Sequence, residues 1–392
     1  MPAIAAHHVV TGVDTGQGRA HAQAATVHVE GDRIVSVTPG IDPDAEFVEG
    51  WLVPGFVDVH GHGAAGHSYS DPYPENVLTA VRYHRAHGTT SLFTSTVTEH
   101  LDDLVAQVAG LRRLVEAGEV DGIHLEGPFL SHAHKGAHDE TLLIDPTPEA
   151  VGRLLAAGGE AIAMVTLAPE LPGGMDAVKQ FTKAGVAVAF GHTDGLGDEA
   201  RTSIEAGVTT VTHLFNAMTG IHHRKPGPIP WLLTDERVSV ELICDGIHLH
   251  ADTVRMAIEA AGIDRVLVVT DAMAATGQAD GRYVLGSLQV DVLDGVARIV
   301  VAGDAPGPIA GSTLTMDQAV TFLVDEVGVG IGEAAVMAST SPARWHHLDE
   351  VGELSPGRLA NLCVLDDGAH LRRVMRRGRW LTAAGTTEGE QP

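Results

Sequence analysis

The segment "VPGFVDVHGHG", residues 53–63, decides how the rest of the chain is interpreted. Its apolar, strand-forming residues end at His60 and His62, where a strand would run out into a loop. Side chains two residues apart on a strand point to the same face, so both imidazoles can turn the same way. The segment therefore predicts a β-strand that ends in two candidate metal ligands.

Seven further apolar runs follow this plan, and each is followed by a helical pattern such as "LDDLVAQVAGLRRLVEAG", residues 101–118, with Gly118 where a helix would end. The eight predicted strands read "GFVDVH", "SLFTSTVT", "DGIHLEG", "AMVTLAP", "VAVAFGH", "TVTHLFN", "VELICDG" and "VLVVTDA". Eight strands alternating with helices predict an α/β fold, a (β/α)8 TIM-like barrel. A doubly wound open sheet shares the alternation, but no GxGxxG phosphate turn follows the first strand.

The two ends of the chain show a different pattern. The segments "AATVHVEGDRIVSVTPG" and "GRLANLCVLDDGAHLRRVMRRGRWL" contain short Val, Ile and Leu runs broken by Gly and Asp. This pattern is typical of antiparallel strands joined by tight turns. We predict that residues 1–53 and 350–383 form a small β-sandwich domain outside a barrel of residues 54–349, and that residues 384–392 are a disordered tail.

Composition excludes several classes of partner. The chain has 51 Asp and Glu against 25 Lys and Arg, a formal net charge of −26, so nucleic acid and anionic membranes are poor partners. No apolar stretch approaches the roughly 20 residues that span a bilayer, and the start of the sequence lacks a secretory pattern. Two cysteines outside any CxxC motif predict reduced thiols. We therefore expect a cytoplasmic protein, in which an anionic substrate would need a local basic cluster.

Metal-ligating residue types collect at the predicted strand ends. Catalytic groups of a barrel lie at the C-terminal ends of its strands. The residues at these positions are His60, His62, Glu126, His192, His213, Asp245 and Asp271. Imidazole and carboxylate groups are suitable ligands for a divalent ion such as zinc or ferrous iron. One histidine at a strand end is more often structural, but five candidate ligands at four strand ends predict a metal site.

Asp271, in "VLVVTDAM", ends the last predicted strand. A carboxylate there could accept a proton from a metal-activated water and deliver it to a leaving group. The alternative interpretation is a cap for the following helix. Because candidate ligands end four of the other strands, we favour the catalytic role.

Further motifs give the chain a recognisable resemblance. Besides the HGH pair they are "HLEGPF" at 124–129, "GHTD" at 191–194, "THLFNAM" at 212–218, "DGIHLH" at 245–250, "VTDAM" at 269–273 and "GSTLTM" at 311–316. In this order they resemble the N-acetylglucosamine-6-phosphate deacetylases of the amidohydrolase superfamily, over essentially the whole chain. HxH with a terminal Asp is typical of the superfamily in general, whereas "LEGPF", "LFNAM" and "DGIH" are specific to the deacetylases.

The resemblance implies roles for the strand-end residues. Glu126, His192 and His213 match the ligands of the principal metal site, and Asp271 matches the catalytic acid/base. His60 and His62 match a pair that holds a second metal in some members. One or two divalent ions per subunit are thus implied, zinc first, with iron, cobalt or manganese as alternatives. Glu126 stands where dihydroorotases and hydantoinases use a carboxylated lysine, which argues against those activities.

The resemblance also implies how a sugar phosphate is bound. The implied substrate residues are Ala137, Asn216, Ala217, Arg224, His248, Ala310, Gly311 and Ser312. Arg224, in the basic stretch "HHRKPG", reaches the phosphate in the neighbouring subunit's site in this family, which implies a homodimer. "SHAHKGAHDE", residues 131–140, resembles a loop over the site in which His138 polarises the amide. A solvated turn for "HHRKPG" and a helix cap for Ser312 are the competing interpretations.

The predicted function is hydrolysis of an acetamide on a small phosphorylated amino sugar, giving acetate and glucosamine 6-phosphate. Two alternatives stay open. One is another amidohydrolase, such as a D-aminoacylase or a deaminase of imidazoles or purines. The other is a non-catalytic scaffold, although a scaffold has no use for five ligands and an acid/base together.

Overall fold

The computed structural model describes residues 2–14, 18–301 and 306–386. In chain order the strands are β1 Ala3–Asp14, β2 Arg19–Glu30, β3 Arg33–Pro39, β4 Glu46–Phe47, β5 Trp51–Pro54, β6 Phe56–Asp58, β7 Gly63–Ala64, β8 His67–Ser68, β9 Thr89–Thr96, β10 Gly122–Glu126, β11 Ile162–Leu167, β12 Ala187–Phe190, β13 Val208–Val211, β14 Ser239–Ile243, β15 Val266–Val269, β16 Gly281–Leu285, β17 Leu288–Leu293, β18 Val296–Ile299, β19 Leu362–Leu365, β20 Leu371–Arg376 and β21 Arg379–Trp380.

The α-helices are α1 Pro74–Ala86, α2 Leu101–Glu116, α3 Pro148–Gly158, α4 Gly174–Lys183, α5 Gly197–Ala206, α6 Ile229–Thr234, α7 Ala251–Ala261, α8 Met316–Phe322, α9 Ile331–Ala335 and α10 Ser341–Trp345. Short 3-10 turns cover His132–His134, Glu140–Leu142 and Gly159–Ala161, and π-helical turns cover Leu323–Val327 and Val336–Thr340. Among the described residues, no helix has the length and apolar character needed to cross a membrane.

The barrel consists of eight parallel strands in chain order, β6, β9, β10, β11, β12, β13, β14 and β15, and all eight were predicted. Its first and last strands meet where the amide of Asp271 donates to the carbonyl of His60 at 2.8 Å. The Asp58 carboxylate strengthens this seam, since it accepts from the Thr270 hydroxyl at 2.6 Å. The predicted barrel is therefore confirmed. The alternative, a doubly wound open sheet, is wrong, because in such a sheet the first strand lies in the interior and does not meet the last strand.

The helices shield the outer face of the barrel. Leu104, Val108 and Leu111 of α2 recur at spacings of three and four residues and are buried, as their periodicity predicts. Gly118, just beyond this helix, has a φ of 71°, which suits a residue without Cβ at a helix end. Burial of one face thus determines where α2 packs.

Both ends of the chain contribute to one mixed sheet, in which the order is β21, β20, β19, β5, β1, β2 and β3, with β4 beside β1. Its apolar residues, including Ile4, Ile34 and Met375, form a hydrophobic cluster separate from the barrel core. A small β domain beside the barrel is therefore confirmed, while its boundaries at residues 53 and 350 stay a prediction. The predicted disordered tail falls mostly on residues 387–392, outside the described residues.

An antiparallel sheet of β16, β17 and β18 follows the last barrel strand, and sequence analysis did not predict it. Leu285, Val290 and Ala297 pack against Met273 and Val97, which lie just beyond the ends of β15 and β9. The three strands therefore form a cover at the C-terminal end of the barrel, where the predicted catalytic residues lie.

Candidate active site

Three predicted ligands converge at the C-terminal ends of β10, β12 and β13. Glu126 Oε1 lies 3.2 Å from His192 Nε2 and 3.2 Å from His213 Nε2, and the two ring nitrogens are 3.0 Å apart. All three residues are at least 95% buried. One carboxylate oxygen and two imidazole nitrogens thus face a common point.

This spacing fits a bound cation. Ligand bonds near 2 Å in a tetrahedral site place ligand atoms about 3.3 Å apart. Two neutral imidazoles that meet nitrogen to nitrogen can share only one hydrogen, whereas both can give their lone pairs to a metal. Glu126, His192 and His213 therefore have the chemistry and the separation of a metal-ligand set.

His60, His62 and Asp271 form a second group beside the first. Asp271 Oδ1 lies 3.2 Å from His62 Nε2 and 3.6 Å from His60 Nε2. Glu126 joins the two groups, because its Oε1 is 3.4 Å from His60 Nε2 and its Oε2 is 3.2 Å from His62 Nε2. Glu126 thus lies within reach of the residues of both groups.

Left-handed backbone directs several of these side chains. The φ angles are 49° at His192, 26° at His213 and 49° at Asp271, immediately beyond their strands. Non-glycine residues with such angles carry strain of about 1–3 kcal/mol each, and they persist only where the surroundings hold them. The strain falls on three of the residues that form the site.

The outer ring nitrogens of two candidate ligands are held by acceptors, which orients the inner nitrogens. His192 Nδ1 donates to the carbonyl of His134 at 2.9 Å, and His60 Nδ1 donates to Glu241 Oε2 at 2.9 Å. When each ring is neutral, the proton on Nδ1 leaves a lone pair on Nε2. Both imidazoles therefore present a metal-binding nitrogen to the site.

His138 shows the opposite tautomer. The backbone amide of Thr98 donates to its Nδ1 at 3.3 Å, so the ring proton lies on Nε2. Burial lowers the pKa of His138 to about 4, despite the opposing effect of the nearby Glu126 carboxylate. His138 is thus a neutral imidazole whose Nε2–H, 3.3 Å from Glu126 Oε2, can donate within the site.

The two carboxylates of the site favour their ionised forms. Burial alone would raise the pKa of Asp271, but the hydrogen bond from His62 and the charge of His60 bring it down to about 2. Burial also opposes ionisation of Glu126, but the charge of His60 and the hydrogen bond from His138 hold its pKa well below the usual range. Both carboxylates are therefore ionised, which suits Glu126 to bind a cation and Asp271 to accept a proton.

A cavity of about 250 Å³ opens above these groups. Of the predicted substrate residues, Ala137, Asn216, Ala217, His248 and Gly311 line it. His248 is oriented by Asp245, whose Oδ2 accepts from the His248 ring at 2.7 Å. Asp245 thus lies outside both ligand groups and orients a residue that lines the cavity.

Three predicted substrate residues do not line the cavity. Arg224 is exposed and contacts the ring of His223. Ala310 is fully buried in the cluster around Met273, and the Ser312 hydroxyl donates to the carbonyl of Thr270 at 2.6 Å. Their roles toward a substrate stay predictions, and for Ser312 the observed contact is one that stabilises the end of β15.

The predicted loop at 131–140 contacts the site through its backbone as well as through His138. His132 is exposed, the His134 ring lies 3.2 Å from Asp194, and Lys135 Nζ lies 3.6 Å from Glu140. The His134 carbonyl, however, orients His192. The position of this loop therefore affects a candidate metal ligand.

Sequence reasoning missed Glu241 and Leu285. Glu241 is a charged residue in the middle of the apolar run "VELICDG", which was a usable signal because a buried carboxylate needs partners. Leu285 reaches the cavity from β16, and its apolar character alone gave no such signal.

A (β/α)8 barrel with two groups of candidate metal ligands at the ends of its strands is typical of metal-dependent hydrolases, and comparison with known proteins agrees with this class. Residues 51–381 match the model of the amidohydrolase family. The chain belongs to the amidohydrolase family, whose hydrolases are metal-dependent. The superfamily resemblance drawn from the motifs is therefore confirmed.

Individual relatives are similar over most of their length. N-acetyl-D-glucosamine-6-phosphate deacetylase from Mycobacterium smegmatis, solved as an Asp-to-Ala mutant in complex with N-acetyl-D-glucosamine-6-phosphate, has 42% sequence identity and a TM-score of 0.91, covering 98% of this chain and 99% of its own. N-acetylgalactosamine-6-phosphate deacetylase from Escherichia coli O157:H7 is 36% identical, covering 88% of this chain and 89% of its own. N-acetylglucosamine-6-phosphate deacetylase from Lysinibacillus sphaericus is 34% identical, covering 84% and 85%.

Proposed function

We propose that the protein hydrolyses the acetamide of N-acetyl-D-glucosamine 6-phosphate to D-glucosamine 6-phosphate and acetate. The observation that carries the proposal is the meeting of two candidate ligand groups, an ionised Asp271 and a neutral His138 around one cavity. The similarity to deacetylases of hexosamine 6-phosphates names the substrate. The protein would then act in amino-sugar catabolism and cell-wall recycling.

Each residue has a distinct task in this reaction. A divalent ion held by Glu126, His192 and His213 would lower the pKa of a water molecule and polarise the acetyl carbonyl. Asp271 accepts the proton that the attacking water loses and then donates it to the sugar nitrogen as the C–N bond breaks. His138 donates its Nε2–H to the carbonyl oxygen as negative charge develops there.

Zinc is the ion that we propose, since imidazole and carboxylate are common zinc ligands, and iron, cobalt and manganese are the alternatives. One ion would bind Glu126, His192 and His213, and a second would bind beside His60 and His62. Metal analysis of the purified protein gives both identity and number, and a protein without any divalent ion would contradict the proposal and favour a scaffold.

The phosphate group would be bound by Arg224 of a neighbouring subunit in a homodimer. Arg224 is exposed and does not line the cavity of its own subunit, and it lies within a basic stretch of a strongly acidic chain. A guanidinium can donate two parallel hydrogen bonds to phosphate oxygens. We also propose a cytoplasmic location, which is consistent with buried free thiols at Cys244 and Cys363.

A substrate panel tests the function. Acetate and ammonia release are measured with the 6-phosphates of N-acetylglucosamine, N-acetylgalactosamine and N-acetylmannosamine, with unphosphorylated N-acetylglucosamine, with N-acetyl-D-amino acids and with an amino-substituted purine. We expect acetate from a hexosamine phosphate and no ammonia. Preferred turnover of an N-acetyl-D-amino acid, or release of ammonia from an aminated ring, would overturn the proposal in favour of an aminoacylase or a deaminase.

Mixed subunits test the role of Arg224. Arg224→Ala should raise KM for the phosphorylated sugar about 10- to 100-fold, as expected when a charge-assisted hydrogen bond is lost, and leave the unphosphorylated sugar unaffected. Lys225→Ala is the matched control. Co-expressed Arg224→Ala and Asp271→Asn subunits should regain activity, because one site of each mixed dimer has both residues. No recovery in a verified mixed dimer would contradict binding across subunits.

A further inference from the structure

Glu241 is a buried carboxylate in the middle of a barrel strand. It lies in β14 between Val240 and Leu242, and none of its surface is exposed. Removing a carboxylate from water costs several kcal/mol unless hydrogen bonds and charges compensate for it. The contacts that Glu241 makes are therefore informative about its role.

One oxygen of Glu241 accepts two hydrogen bonds from different parts of the site. Glu241 Oε2 accepts from the ring Nδ1–H of His60 at 2.9 Å and from the backbone amide of His213 at 3.1 Å. The backbone carbonyl of Glu241 also accepts from the amide of Leu214 at 2.8 Å. The same residue thus contacts one member of each candidate ligand group.

The first hydrogen bond determines which nitrogen of His60 faces the site. In the neutral ring that binds a metal, the proton held by Glu241 is on Nδ1 and the lone pair is on Nε2, 3.4 Å from Glu126 Oε1 and 3.6 Å from Asp271 Oδ1. This Nε2 is buried and has no hydrogen-bond partner among the described residues. It is an available ligand atom directed at the two carboxylates.

The second hydrogen bond acts on the backbone of His213. The φ of 26° at this residue is strained, and its outer ring nitrogen, Nδ1, has no hydrogen-bond partner in the part of the chain that the structure describes. A ring without an outer partner relies on its backbone for its direction. Glu241 holds that backbone by the amide.

We propose that Glu241 is a positioning residue that orients His60 through its ring and His213 through its backbone, and so links the two ligand groups from behind. The inference rests on the proposed use of these histidines as metal ligands. Glu126 joins the groups on the cavity side, and Glu241 joins them on the interior side of the barrel.

Metal binding by a Glu241→Gln variant tests the inference. Glutamine keeps an acceptor for both donors but removes the charge, and it places an NH2 where Oε1 now has no partner among the described residues. We expect metal affinity, measured by competition with a chelator, to fall about 10- to 100-fold, as for other groups that orient a ligand. Excess metal should restore occupancy and much of kcat, because the ligands themselves are intact.

Ser239→Ala is the matched control, since Ser239 is buried two residues earlier in β14 and contacts Thr210 but neither histidine. The control should bind metal as the unmodified protein does. Glu241→Ala leaves both donors without a partner and should lose metal from both groups; if it does not fold, the glutamine variant still decides. Unchanged stoichiometry and affinity in Glu241→Gln would overturn the inference.

The same measurements separate this inference from the proposed function. An unmodified protein that binds metal but releases no acetate, with weakened binding in Glu241→Gln, would support the positioning role and contradict the function. If the unmodified protein releases acetate but metal affinity is unchanged in Glu241→Gln, the function would be supported and the positioning role contradicted. An unmodified protein that binds no divalent ion would overturn both.

Discussion

Histidines are buried at both ends of the barrel, but their surroundings shift their pKa values in opposite directions. At the C-terminal end, burial opposes protonation of His62, yet hydrogen bonds with Asp271 and Glu126 raise its pKa to about 9. At the other end, beside the first residues of β11 and β12, burial lowers the pKa of His346 to about 4. Both histidines are buried, so the difference between their pKa values comes from the carboxylates beside His62 and not from burial.

The contacts of His346 explain its lowered pKa. Its ring packs edge-on against Phe93 with 5.2 Å between ring centroids, and neither ring nitrogen has a hydrogen-bond partner among the described residues. His62, by contrast, lies 3.2 Å from each of two carboxylates. The same residue type thus acts as an apolar filler at one end and as a candidate ligand at the other.

The largest effect is expected at the C-terminal end, from Asp271→Asn. Asparagine keeps the shape and tolerates the left-handed backbone at this position, but it cannot accept a proton. We expect kcat to fall by about 10²- to 10⁴-fold, the usual contribution of a general acid/base. The ion of the first group should be retained, because Glu126, His192 and His213 are unchanged. Acetate release near the unmodified rate would contradict the role of Asp271.

A smaller effect is expected from the double variant His60→Gln, His62→Asn, which separates the two ligand groups. It should keep one tightly bound ion and a larger share of activity than Asp271→Asn, because the other group still holds its three ligands. His192→Asn is the comparison variant and should lose the tight ion. Loss of all metal and all activity in the double variant would show that the first group cannot bind its ion without the second.

Much of this site was predictable because barrels place residues by a simple rule. His60, His62, Glu126, His192, His213 and Asp271 were selected by their positions at strand ends, and in the structure their ligand atoms lie within a few ångströms of one another. The periodic pattern of each strand carries this information locally. A strand end is visible in sequence, and closure of the barrel brings the ends together.

Other features depended on contacts between distant segments. Glu241 gains its role from His60, 181 residues away, and the strand pattern gives no partner for it. The sheet β16–β18 occupies a position where alternation predicts a helix, so its contact with the cavity through Leu285 was not predicted. Ser312 was selected from a motif, but the backbone at Thr270 determines the direction of its hydroxyl. Such contacts arise only when the chain is folded.

The smallest effect at neutral pH is expected at the opposite end, from His346→Phe. The folded-state pKa of His346, about 4, is below the ordinary value of 6.5, so the unfolded chain binds the proton more readily. The stability contributed by this neutral ring is complete above pH 6.5 and is lost as pH falls toward 4, by about 3 kcal/mol. Phenylalanine cannot be protonated and keeps the contact with Phe93.

We therefore expect nearly equal free energies of unfolding at pH 7 and a growing advantage for His346→Phe between pH 6.5 and 4, measured by denaturant titration at each pH. The difference between the two proteins isolates this residue, because His84, whose pKa burial also lowers to about 4, is present in both. His250→Asn, which replaces an exposed histidine and keeps a capping side chain for α7, is the control. Parallel pH profiles for the unmodified protein and His346→Phe would mean that His346 finds a partner for its proton, and the contrast between the two ends of the barrel would then fail.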